Sequence, residues 1–352
     1  MADAATSSQA SATRRSLGLL GFVYLGLTAL LAFAMFLALT VGPFNLSFYE
    51  LWLSVTGRGE PVSDTILFNI RAPRMLLALI VGASLAIAGA SMQGLLRNPL
   101  ADPGLIGITA GASLAVVFVI VLGDKVLGDL PAYLYAALHS VAAFLGGLIV
   151  TFIVLATAQL GGSFSVGRLI LVGVAITAIA SALIGIMVYM STDQQLRELT
   201  FWTMGSLAKS NWNTVTLACI IMIAASIALM RYRRDLDLFQ LGERAAFHSG
   251  IDVAKVKFRI CALVAISVGA GVSVAGPIGF VGLVAPHMTR LFVRSSHWVV
   301  LPVSALIGAN ILLFADLFVR NAIPPAEIPI GIATAILGGP FFLWLLLRNK
   351  RL

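Results

Sequence analysis

The sequence predicts an all-α, polytopic membrane protein with about ten transmembrane helices. Three observations predict it. Of 352 residues, 59% are hydrophobic and 11% are charged, where a soluble domain carries about 25% charged residues. Mean hydropathy is +1.00. The apolar residues fall into repeated runs near the length of about 20 residues that a spanning helix needs. Within the runs, small residues cluster, as in Gly82-Ala83-Ser84 and Gly269-Ala270-Gly271. In lipid, such residues let helix backbones approach closely, and packing alone accounts for most of these glycines.

Residues 1–16 form an Ala/Ser-rich tail with Arg14 and Arg15 just before the first apolar run. That run, 17–41, is long enough to span and carries no clear Ala-x-Ala cleavage site, so it reads as a retained helix. Spans at 72–95 and 104–123 follow, separated by Arg97-Asn98-Pro99-Leu100-Ala101-Asp102-Pro103-Gly104. This island cannot continue a helix through lipid; it lies at a surface or lines a watery path, where its prolines would make it a short rigid plug. Further spans are expected at 134–158, 168–190 and 213–230. The polar interval Arg231–Arg259 is too short to bury a core of its own. Leu241 to His248 suits a short helix stopped by Gly250. Such a helix could dock a soluble partner or form a solvated loop. The remaining spans are 257–277, 279–296, 299–320 and 329–347, before a tail at 348–352. The 279–296 span contains Pro286 and is expected to be broken or tilted.

With the N-terminus in the cytoplasm, sixteen of the 23 Lys and Arg residues fall on the cytoplasmic side and seven on the other. This bias, with an even number of spans, places both termini inside. The net charge of +8 then reflects basic loops facing anionic lipid, not a nucleic-acid surface. A weak echo links Ser84–Gly89 and Gly94–Pro99 with Gly271–Gly276 and Gly282–Pro286. It is the pattern of an inverted repeat, although chance similarity between small-residue helices explains it equally well.

No Gly-x-x-x-x-Gly-Lys-Ser/Thr run is present, so the chain has no P-loop for a nucleotide. The four histidines and two cysteines show no metal-ligand spacing. Asp316, with Arg320 at i+4, is the main acid inside a span. It suits a local ion pair or cap better than the ion site of a secondary transporter.

Seven motifs in one order resemble the FecCD/BtuC family of ABC-importer permeases. They are Arg71-Ala-Pro-Arg74, Gly89-Ala-Ser-Met-Gln93, Asn98-Pro-Leu-Ala-Asp-Pro-Gly104, Phe201-Trp-Thr-Met-Gly205, Leu241-Gly-Glu243 with Gly250, Gly279-Phe-Val-Gly-Leu-Val-Ala-Pro-His287 and Ala326-Glu-Ile-Pro-Ile-Gly331. The resemblance runs from about Leu46 to Leu347. It implies ten helices per subunit, a homodimer with the pathway along its interface, two ATPase subunits below, and a periplasmic binding protein above. It places the chain in the bacterial inner membrane, binding no cofactor itself, with ATP and magnesium on the ATPase. It makes Asn98, Pro99 and Leu100 one cytoplasmic gate, and Ser165, Val166 and Gly167 the other. The second gate departs from the more hydroxyl-rich loop of the vitamin B12 permease. Leu241, Gly242, Glu243, Arg244, Ala245, Ala246, Phe247, His248 and Gly250 match the ATPase-coupling segment, within 231–259. Arg58 and Arg320 fall where the family meets acidic residues of the binding protein. Met187, Met190 and Met204 are placed near the outer mouth, where they serve equally as core filler. Arg197 at that mouth faces an anionic cargo or pairs with Glu198 or Asp193, the structural role being slightly favoured. The stretch Gln195–Leu207 most resembles haem permeases, so haem is the first choice of cargo, ahead of ferric siderophore and then vitamin B12.

Overall fold

The computed structural model describes residues 2–128, 131–161, 164–293, 296–324 and 326–348. Met1, Arg294 and residues 349–352 of the expected C-terminal tail lie outside them. Every regular element among the described residues is helical. Seven helices are long and apolar enough to cross a membrane, and two shorter apolar helices cover 108–123 and 330–344.

The first helix, α1 (Ala2–Thr40), continues without a break from the expected tail into the first span. Two short helices, α2 (Phe48–Val55) and α3 (Pro61–Asp64), follow. Ser47 and Glu50 start α2 with a reciprocal capping box. A π-helical turn, Thr65–Arg71, then leads directly into α4 (Ala72–Leu96). The expected 72–95 span is therefore the larger part of one 36-residue helical stretch, Pro61–Leu96. Its most apolar window is 72% buried, against 11% for Gly18–Thr40. The reason lies in its small residues. Gly82 packs on the Gly308 backbone, and Gly89 on that of Gly282, distances that any side chain would prevent. This central helix is surrounded by others because it is thin. The Gly89–Gly282 contact also joins the two halves of the sequence echo directly.

A 3-10 turn, Pro103–Ile106, opens the next hairpin, α5 (Ile108–Leu127) and α6 (Ala132–Ala158). Gly111 and Gly146 pack across it. Then come α7 (Val166–Met190), the amphipathic α8 (Asp193–Thr203) and α9 (Trp212–Arg231). The polar interval holds two short helices, α10 (Arg233–Gln240) and α11 (Glu243–His248), rather than one from Leu241. Gly242, at φ +110, breaks them apart. Next are α12 (Val253–Ala275), α13 (Val281–Phe292), α14 (His297–Ala322) and α15 (Ile330–Arg348). The expected 279–296 span is only the 12-residue α13. At 1.5 Å per residue it covers about 18 Å, well short of the ~30 Å hydrocarbon layer.

Candidate functional site: two polar nodes at opposite ends of the central helix

At the start of α4, buried cations gather. Arg74 bonds Asp316 through Nε (2.9 Å) and Nη2 (2.9 Å), and Glu327 through Nη1 (2.9 Å). A guanidinium offers five donors in a fixed fork, so one Arg can hold two carboxylates from different elements. The expected partner of Asp316 was Arg320; the structure gives it Arg74, 242 residues away. Arg71 and Arg320 have another task. Arg71 donates to the carbonyls of Leu39, Thr40 and Phe44, and Arg320 to that of Ala38 at 2.7 Å. The last carbonyls of a helix have no partner within it, and here two cations cap α1. Arg320 is 5% exposed. Its Nε finds no hydrogen-bond partner among the described residues, and with so little surface it presents almost nothing to a docking protein. Arg58 stands exposed in the α2–α3 loop.

Close by, three chain segments join through backbone alone. Ser206 N–H donates to Ala275 (2.8 Å), Ile330 N–H to Gly205 (3.1 Å) and Gly331 N–H to Met204 (3.0 Å). A Cβ on Gly205 would lie 2.6 Å from the Pro277 carbonyl, and one on Gly276 2.7 Å from that of Trp202. These contacts account for the glycines of Phe201–Gly205 and Ala326–Gly331. A cleft of about 670 Å³ opens beside the joint, lined by His139, Arg197, Glu198, Trp202, Lys209 and Glu327 among others. Among the described residues Arg197 makes no ion pair with Glu198 or Asp193; Glu198 lies 4.0 Å from His139 instead. Met187 is half-buried against the core, Met190 is 54% exposed and Met204 is 37% exposed.

At the other end, α4 stops at Leu96 because Arg97 turns left-handed, φ +51. Asn98 Oδ1 accepts from Leu100 N–H at 2.9 Å, and Asp102 Oδ1 from Gly104 N–H at 2.7 Å. Burial pushes the Asp102 carboxyl above the ordinary carboxylate range, and the Gly104 N–H pulls it back. Asn98 and Pro99 are exposed and Leu100 is half-buried. The 3-10 turn that follows packs on α7, where Gly173 admits the Leu105 carbonyl. Ser165 caps α7 by accepting from Arg168 N–H at 3.3 Å, with Val166 half-buried and Gly167 exposed.

The α10–α11 segment is tied to both loops. Gln240 Nε2 donates to the Gly94 carbonyl at 3.1 Å. Glu243, first residue of α11, lies 2.7 Å from Lys257 Nζ and 4.0 Å from Arg97. Lys257 is 1% exposed, and its Nζ sits 5.6 Å from the ring centre of Phe164, next to Ser165. One carboxylate thus touches cations beside both loops. Asp252 starts α12 by accepting from Lys255 N–H at 3.1 Å; the Lys255 ammonium 2.8 Å away, and then that bond, hold its carboxyl below the usual range. Leu241 (73%) and Phe247 (68%) are exposed here, while Arg244, His248 and Gly250 are also exposed, Gly242 and Ala245 half-buried and Ala246 buried.

Residues 30–348 match the FecCD transport family. The chain belongs to the FecCD transport family. Among relatives of this FecCD chain, the hemin transport system permease protein HmuU of Yersinia pestis is 43% identical over 310 residues, 88% of this chain and 90% of that protein. The vitamin B12 import system permease protein BtuC of Vibrio cholerae is 39% identical over 300 residues, 85% and 88% of the two chains. A solved structure described as an inward-facing ABC transporter of metal-chelate type superposes with TM-score 0.80 at 32% identity, covering 93% of this chain and 99% of that one.

Sequence reasoning named Arg74 and Glu327 only as parts of motifs, placed Glu243 in the coupling segment, and missed what all three bind. Lys257 was missed as a site residue. A lysine in the second turn of an apolar helix was the available signal, since a cation there needs a partner.

Proposed function

We propose that the chain is the permease subunit of a binding-protein-dependent ABC importer of the bacterial inner membrane, with both termini in the cytoplasm. It works as a homodimer with two ATPase subunits, which hold ATP and magnesium. Its cargo is an iron chelate, haem first, supported by the 43% identity to a hemin permease; a ferric siderophore and vitamin B12 follow. The observation that carries the reading is Glu243. The segment 231–259, offering Leu241 and Phe247 to the ATPase, is joined by this carboxylate to cations flanking the Asn98–Leu100 and Ser165–Gly167 loops. ATPase closure moves α10 and α11 as a rigid body, and the two gate loops follow. The Arg74 end is then the outer face, where Arg58 meets the binding protein.

An ion-coupled secondary transporter would need Asp316 free for its ion, and Arg74 occupies that carboxylate. Reconstitution tests the proposal. Vesicles holding permease, ATPase and binding protein should take up haem only with ATP. Uptake by the permease alone, driven by a proton gradient, would overturn it.

A further inference from the structure

Between α12 and α13 the backbone is not helical, and it is deep. Gly271 lies level with Val81, since a Cβ there would sit 3.9 Å from the Val81 side chain. Gly282 lies level with Gly89, whose missing side chain makes room for it. Val81 and Gly89 are eight helical residues apart, and Gly276 is a further five beyond Gly271 in the opposite direction. At 1.5 Å per residue, Gly276 and Gly282 differ in depth by about 20 Å. Val281 and Gly282 are already helical, so most of that descent falls on the residues before them, at about 3.3 Å each when extended. Residues 277–279 therefore descend about 10 Å into the bilayer as non-helical chain, before Phe280 turns into α13.

Lipid does not tolerate such a segment. Backbone polar groups at that depth must be bonded within the protein or must face water. Among the described residues nothing bonds the N–H of Ile278 or Gly279, or the carbonyls of Pro277 and Ile278. Gly279 is exposed, and a Cβ placed on it meets nothing within 4 Å. Phe280, at φ +68, occupies a conformation an L-residue seldom adopts. Its ring packs where Gly338 leaves space, which pins the segment to α15.

We propose that Pro277–Phe280 is a wall of the water-filled cargo path, and that the Ile278 and Gly279 backbone groups exchange hydrogen bonds with a polar, oxygen-bearing cargo. Unpaired donors and acceptors lie side by side, so the wall replaces hydration of either kind without a fixed charge. A surface of that kind guides a solute and does not trap it. This inference rests on the importer reading.

The test uses Gly279→Cys in the complete transporter with its ATPase and binding protein. Cys219 and Cys261 are buried, at 4% and 0% exposure, so background labelling is low. The probe is a charged, membrane-impermeant methanethiosulfonate. Ala29→Cys, exposed in the apolar middle of α1, is the lipid-facing control. Labelling of Gly279→Cys but not of Ala29→Cys, with loss of uptake on labelling, is expected. No labelling in either the nucleotide-free or the ATP-bound transporter overturns the proposal, as does full labelling with unchanged uptake. ATP-driven uptake by unlabelled Gly279→Cys keeps the importer reading standing whichever way the labelling falls. Should that variant fail to assemble, Ile278→Cys probes the same wall with the same two outcomes.

Discussion

Arg74 carries most of the polar architecture at its end of the molecule. Removing one partner of a buried ion pair costs about 3–5 kcal/mol, because the other charge is stranded. Arg74→Ala leaves Asp316 and Glu327 without their shared cation. Its melting temperature in detergent should fall well below wild type, and a double change with Asp316→Asn should recover part of the loss. An unchanged melting temperature would show that the pairs contribute nothing. Arg320→Glu belongs with this group: it should lower folded yield by uncapping α1, and any protein that folds should bind its soluble partner normally. Arg58→Glu should weaken that docking more at low salt than at high, as screening predicts for an exposed charge. Titration of the complex against salt separates the two arginines.

Glycines decide contacts at the scale of helices. Gly89→Val would drive a side chain into the Gly282 backbone and should part α4 from α13, leaving little extractable folded protein. Gly185→Val, with open space around it, should express normally, which makes it the control. Glu243→Gln keeps the shape of α11 but loses its attraction for Lys257. ATP hydrolysis should persist while uptake per ATP falls, and unchanged coupling would remove Glu243 from the linkage. The helices themselves were legible because lipid demands runs of a set length and composition. The short, proline-bearing 279–296 segment stood out for the same reason. The split of α10 from α11 was not legible, since Gly242 followed by Glu243 reads equally well as a helix start and as a loop.

Taken as a whole, the molecule is a thin central helix with a polar node at each end. Family motifs made the Asn98–Leu100 loop and the α10–α11 segment visible in the sequence, because those stretches are polar islands in an apolar chain. The pairings were hidden. Arg74 and Asp316 are 242 residues apart, and no periodicity links them. The bond of Arg320 was hidden for a related reason: four residues from Asp316, it reads as a local partner, and its acceptor is a carbonyl of α1. Carbonyls leave no trace in a sequence.

The joint of Gly205, Gly276 and Gly331 is made only of peptide groups. Nothing in it ionises, so acid, alkali and brine leave its bonding unchanged, unlike the Arg74 cluster beside it. A protein living between two compartments of differing chemistry thereby owns one rivet that neither side can loosen by changing its contents.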